Sequence, residues 1–332
     1  MNLLITIIII LILSFLALYI SKKTKISGMV SLIFVGIILG TDHLRYLIME
    51  PNTQTIIILG DIGLIGLMFF AGLNSSLRRF YSERHDATSI GIFSLLVPFI
   101  IGFFVFHILG FSIIISVVVG ICLSMTAEAE KAKELMEVGK IKTRVGTAIL
   151  ESGMIDNILG ILIFMLTAYS FSVNTFGQFS LLTSAIISFF VGLFLQDYLV
   201  DNKKSLNIIR NMLQYIFIPF FFISMGIFFD ISYLAIEPEI IIMIIFIGVV
   251  SKLIGAFLAK INTNFTWKQL NLIGWAMNSR GSTELAIALV AFRAGLIPDY
   301  LFSALILLAI ISTVWFPFIL REILIKNPKI MN

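Results

Sequence analysis

Cysteine is almost absent from this chain. The single one, Cys122, lies inside an apolar run, which excludes a disulfide framework and a cysteine-based metal site. Charge is scarce too: 13% of residues are Asp, Glu, Lys or Arg against 59% hydrophobic, and apolar runs near the bilayer-spanning length of about 20 residues recur from end to end. That balance excludes a water-soluble domain and leaves an all-α, polytopic membrane protein, with 31 Phe suited to packing against lipid. No Gly-x-x-x-x-Gly-Lys-Ser/Thr loop is present, so ATP does not drive the molecule through that motif. No enzyme chemistry and no cofactor are expected. The formal charge of +4 does not signal a nucleic-acid partner, because nearly all the cations sit in a few loops between apolar segments. Met1 to Ile20 lacks the basic start and small-residue cleavage site of a signal peptide and is followed by Lys22, Lys23 and Lys25, so it is expected to be a first spanning helix.

Hydropathy and loop punctuation predict about eleven spans, near 3–20, 27–49, 55–73, 88–110, 111–138, 143–170, 179–198, 206–229, 236–260, 266–294 and 299–325. Thr41-Asp42-His43 interrupts the second. Lys and Arg gather after spans 1 and 3 (Arg78, Arg79, Arg84), around the 5–6 turn (Lys131, Lys133, Lys140, Lys142, Arg144), the 7–8 turn (Lys203, Lys204, Arg210), the 9–10 turn (Lys260, Lys268) and the end (Arg321, Lys326, Lys329). The alternate turns hold little beyond Arg45 and Arg293. The positive-inside rule therefore predicts an N-terminus outside the cell membrane and a cytoplasmic C-terminus, which an odd number of spans requires.

An internal repeat recurs at an offset of about 154 residues. Leu67-Met68-Phe69-Phe70-Ala71-Gly72-Leu73 echoes Phe220-Phe221-Phe222-Ile223-Ser224-Met225-Gly226, and the polar interruption around Thr126 matches the one at Asn278-Ser279-Arg280-Gly281-Ser282. Spans ending near Gly139 and Gly295 share that register. The partners are five spans apart, an odd number, so the copies face opposite ways. The predicted organisation is an extra N-terminal helix and loop (1–26), a first inverted repeat (27–170), a second (171–325) and a cytoplasmic tail (326–332), with no regulatory domain expected beyond Asn332. Inverted five-helix repeats with a broken helix in each place a substrate site near the midplane, where half-helix ends and freed backbone groups meet.

The ionisable residues inside the spans carry the chemistry. Asp156, within Gly153-Met154-Ile155-Asp156-Asn157-Ile158-Leu159, costs at least about 2.5–3.5 kcal/mol at membrane depth and is expected there for function, carrying a cation one way and a proton the other. Ser152 is four residues earlier on the same helical face, so hydroxyl and carboxylate are expected to converge on one ion. Glu151 lies about 140° around the helix from Asp156 and is expected to partner a cation on another helix. Thr126, at the first break, offers oxygen ligands to a small hard cation. Glu128 is either a further carboxylate for that site or the start of a solvated helix end, and the solvated reading is the expectation for Glu130, Lys131, Lys133 and Glu134, with Glu-Lys pairs along one face. Lys252 sits about 12 Å deeper than Lys260 by helix rise, which predicts an ion pair with Asp156 or Glu151 rather than a snorkelling side chain. Arg280 either balances the partially negative C-terminal ends of opposed half-helices or takes part in transport directly.

On these residues the chain resembles the monovalent cation/proton antiporter superfamily, from about residue 27 onward. The resemblance rests on the Phe-x-x-Gly-Leu that ends span 3 with Phe70-Ala71-Gly72-Leu73, the Ser124-x-Thr126 crossover with Leu135-Met136-Glu137-Val138-Gly139 after it, the acidic helix at Asp156, Pro219-Phe220-Phe221, Lys252-x-x-Gly255 and Ser279-Arg280-Gly281. It implies a homodimer in the lipid bilayer, a mobile core with crossed broken helices, and elevator-like alternating access in which Na⁺ or K⁺ competes with H⁺ for an aspartate. The transported cation would be held by Asp156, Ser152 and Thr126, with Asn157 and Glu128 beside them, and Lys252, Glu151 and Arg280 would serve as charge partners. The motifs are mixed. Glu151, Ser152 and Asp156 match the electroneutral branch, with Ile155 in place of its asparagine, whereas Lys252 matches the electrogenic branch, whose second aspartate is Asn157 here. Two of the usual thirteen spans are missing between spans 6 and 7, where only Phe171 to Gln178 remain. Rival functions are a sodium-coupled organic-anion symporter of similar fold and a non-transporting channel or regulatory homologue.

Overall fold

The structure, a computed structural model, describes residues 3–24, 26–41, 44, 52–75, 85–170, 176–199, 203–327 and 329–331. Lys25, Asp42, His43, Arg45, Arg78, Arg79 and Arg84 of the charge reading lie outside the described residues, as does most of 42–51 in the second predicted span. The described residues form helices and no strands. In chain order these are α1 (Leu3–Thr24), α2 (Gly28–Leu39), α3 (Thr53–Asn74), α4 (His85–Ile108), α5 (Ile113–Ser124), α6 (Glu128–Glu137) and α7 (Arg144–Ser170). They continue with α8 (Phe176–Leu199), α9 (Lys203–Met212), α10 (Ile218–Phe228), α11 (Pro238–Leu258), α12 (Trp267–Met277), α13 (Ser282–Arg293) and α14 (Asp299–Lys326). Among the described residues seven helices, with α9 and α10 running as one, are long and apolar enough to cross a membrane; α2, α5 and part of α8 are shorter apolar helices.

Contacts divide the chain into two units, each taking one segment from either predicted repeat: Met1–Leu77 with Gly177–Tyr233, and Arg78–Phe176 with Leu234–Asn332. The first unit shows how packing works without a hydrophobic driving force between helices. Along α1 the buried stripe is Thr6, Ile10, Ser14, Ala17 and Ser21, while Leu4, Ile8, Ile12, Phe15 and Tyr19 are exposed. Apart from Ile10, small residues face protein and large apolar ones face outward, the arrangement that lipid favours. Close approach recurs where α2 meets α10: a Cβ on Gly36 would lie 2.8 Å from the Cα of Gly226. The α9–α10 helix widens into a π turn at Leu213–Phe217, with the Ile218 amide donating to Leu213 O, just before Pro219 removes a backbone donor.

The second unit holds both interrupted helices. Its centre is α4, packed on α5, α7 and α11. Glycines set those distances: a Cβ on Gly255 of α11 would lie 2.6 Å from Phe93 O of α4, and one on Gly91 of α4 2.8 Å from Ile155 Cβ of α7. The first interruption separates α5 from α6. Met125 and Ala127 are extended there, at φ −83° and −89°, and no helical amide caps the last carbonyls of α5. The second separates α12 from α13 across Asn278 to Gly281. The two interruptions touch: the Ala127 amide donates to Ser279 O at 2.8 Å, and a Cβ on Gly281 would lie 2.6 Å from Ala127 Cβ. The half-helices that follow end alike. Gly139 and Gly295 both have φ +66°, Lys140 donates to Leu135 O and Leu296 to Ala291 O at 2.9 Å, so each closes with the same glycine cap.

Candidate functional site

All side chains of the site belong to the second unit. The end of α5 dictates the first part of it, because a half-helix that stops inside protein leaves carbonyls without intrahelical partners and with partial negative charge. Ile121 O accepts from Ser124 Oγ at 2.7 Å, Cys122 O from Arg280 Nη1 at 2.9 Å, and Ser124 O from Lys252 Nζ. Two buried cations thus neutralise the C-terminal end of α5. Arg280 also donates to Gly248 O of α11 at 2.9 Å and lies 3.6 Å from the carboxylate of Glu284, one turn on in α13. The hydrogen bonds of Arg280 Nη1 to Cys122 O and of Nη2 to Gly248 O are both to backbone, which fits the charge-balancing alternative.

Asp156 projects from α7 into the first interruption and is fully buried. Thr126 Oγ1 donates to its carboxylate, 3.0 Å from Oδ1 and 3.1 Å from Oδ2, and Lys252 Nζ lies 3.2 Å from Oδ2. Lys252 is completed by Ser94 Oγ at 3.3 Å. That serine comes from α4, four residues before Pro98, whose missing amide frees the Ser94 carbonyl from the helix ladder. The ion pair therefore forms with Asp156, not Glu151. Glu151 is half-buried on another side of α7. Asn157, the next residue of α7, is buried, and its Oδ1 has no hydrogen-bond partner among the described residues.

Two readings need correction. Ser152 does not turn its hydroxyl to Asp156; Oγ lies 3.3 Å from both Ile149 O and Met277 Sδ, because the last residue of α12 fills the space in front of it. The face of α6 expected to be solvated is largely buried. Lys131 has no exposed surface and donates to Thr126 Oγ1 at 2.9 Å, and Glu134, 6% exposed, pairs with Arg321 of α14 at 2.6 Å. Only Lys133 of the four is exposed. Glu128 stands half-buried in the first turn of α6, where the helix dipole favours an acid, within electrostatic range of Lys131. Sequence reasoning gave Lys131 no part in the site and passed over Ser94 and Glu284. For Glu284 there was a signal, an acid four residues after Arg280 in a segment otherwise apolar.

The arrangement can hold one small cation or one proton on a carboxylate flanked by neutral oxygens, with an ammonium ready to replace either. Comparison with known proteins agrees. A family model described as sodium/hydrogen exchanger, transmembrane, matches residues 9–196 and 161–326. The chain is 24% identical to the Na(+)/H(+)-K(+) antiporter GerN of Bacillus cereus, over 90% of each chain. It is 23% identical to a Na(+)/H(+) antiporter of Enterococcus hirae, over 91% of this chain and 93% of that one. In structure it resembles the sodium proton antiporter MjNhaP1 from Methanocaldococcus jannaschii at pH 8, with a TM-score of 0.67, 15% identity and 98% of each chain covered.

Proposed function

This chain belongs to the sodium/hydrogen exchanger family of transmembrane proteins, and on that premise we propose that its exchange of a monovalent cation for a proton runs through Asp156. The observation that carries the proposal is the fully buried Asp156–Lys252 pair at 3.2 Å, set between two interruptions that touch. A buried pair is costly to desolvate and is weak evidence for stability, so its place in the fold is explained better by work that alternately breaks and remakes it. With the carboxylate empty, Lys252 holds it. When Na⁺ or K⁺ arrives, Thr126 Oγ1 and Asn157 Oδ1 supply neutral oxygens and Lys252 keeps the Ser124 carbonyl and the Ser94 hydroxyl. When a proton arrives, charge is again balanced without the ammonium. One carboxylate thus serves both ions by turns, which is antiport.

Named relatives are cation/proton antiporters, and this favours exchange over the sodium-coupled organic-anion reading. We extend the proposal to eleven spans, to inverted repeats at 27–170 and 171–325, to an outside N-terminus and cytoplasmic C-terminus, and to a homodimer. Purified protein in liposomes should collapse an imposed pH gradient when Na⁺ or K⁺ is added. By mass action the apparent KM for the cation should rise as pH falls, toward about tenfold per pH unit. A cation KM indifferent to pH would mean that the two ions do not share a site.

A further inference from the structure

The exchange cycle does not use Lys131, a fully buried cation beside the site. Lys131 reaches back from α6 to the carboxylate site, with Nζ 2.9 Å from Thr126 Oγ1 and 3.6 Å from Met277 Sδ. A threonine hydroxyl has one proton and two lone pairs. Here the proton is directed to Asp156, so the ammonium takes a lone pair on the same oxygen. An ion bound to Asp156 and Thr126 together needs a lone pair on that oxygen, of which the ammonium already holds one, and a lysine ammonium is itself a compact single positive charge. We propose that Lys131 is a tethered competitor of the transported cation, filling its place at Thr126, one hydroxyl away from Asp156, until the ion displaces it, and so setting the apparent cation affinity. The inference rests on the antiport reading of the same site.

Three further observations support it. The ammonium lies where only glycine leaves room, since a Cβ on Gly153 of α7 would collide with Lys131 Nζ. Its second contact is a thioether, a weak acceptor, whereas Lys252 is anchored by a carbonyl and a hydroxyl; of the two, Lys131 is the easier to dislodge. A destination is near: Glu130 Oε2 is buried at the second interruption, 3.4 Å from where a Gly281 Cβ would sit, and has no hydrogen-bond partner among the described residues.

Two variants test this by different routes. Lys131→Met removes the competitor, and Gly153→Ala pushes its flexible end off Thr126 while keeping the charge. The apparent KM of Na⁺ or K⁺ in proteoliposomes is measured beside the cation concentration that gives half-maximal thermal stabilisation in detergent. Because apparent affinity scales with the fraction of open sites, both quantities should fall about tenfold in Lys131→Met, and in the same direction in Gly153→Ala. Exchange retained with both quantities unchanged or raised in the two variants would overturn the competitor and leave antiport standing. No exchange in any chain, with the stabilisation midpoint still lowered, would remove antiport and keep the competitor.

Discussion

Asp156 faces more positive charge than one carboxylate balances, with Lys252 in direct contact and Lys131 one hydroxyl away. Removing a member of such a group uncovers what it was satisfying. Lys252→Met would strand a buried carboxylate and the Ser124 carbonyl, and loss of one partner of a buried pair costs about 3–5 kcal/mol. Thermal unfolding in detergent should show that loss, and partial recovery in the double variant with Asp156→Asn; a Lys252→Met protein as stable as wild type would contradict the pairing. Asp156 and Lys252 could be singled out from sequence because an ionisable group deep in an apolar run is expensive and thus conspicuous. Lys131 could not. Its neighbours Glu128, Glu130, Lys133 and Glu134 make the pattern of a solvated helix, and only the approach of α6 to α7 over Gly153 turns that face inward.

Between elements, the unit containing the site is held where two broken helices cross. Arg280 joins them, taking Cys122 O from one helix, Gly248 O from α11 and Glu284 from its own. Arg280→Met should cost about 3–5 kcal/mol because it leaves Glu284 buried and unmatched, and Arg280→Met with Glu284→Met should be markedly more stable than the single change. Equal melting temperatures for the two would show that the carboxylate finds another partner. Gly281→Ala tests the crossing itself: its methyl would meet Ala127 Cβ at 2.6 Å, and overpacking of this kind costs about 1–3 kcal/mol. The interruptions were legible as polar residues cutting apolar runs at Thr126 and at Asn278 to Arg280. That they touch was not, since contact between residues 127 and 279 depends on tertiary packing rather than local pattern.

For the molecule as a whole, the proposed orientation rests on charge and parity. The lone native cysteine is buried, so introduced ones can be read against a quiet background. Lys268→Cys, in the first turn of α12, and Asp230→Cys, just after α10, are both at exposed positions, at helix ends expected on opposite sides. A membrane-impermeant maleimide should label Asp230→Cys on intact cells and Lys268→Cys only in inside-out vesicles; the reverse result would invert the assignment. Small residues on the buried stripe of α1 and at the α2–α10 contact explain how so apolar a chain packs specifically, yet neither stripe stands out in a sequence where apolar residues are everywhere.

Central to the proposed exchange is a single acid, Asp156, shared in turn by both ions. The most direct measurement is cation-driven collapse of a pH gradient by Asp156→Asn reconstituted beside wild type. Collapse with wild-type protein and none with the variant, although its carboxamide fills the same space, is the predicted result; equal collapse by both would place the exchange elsewhere.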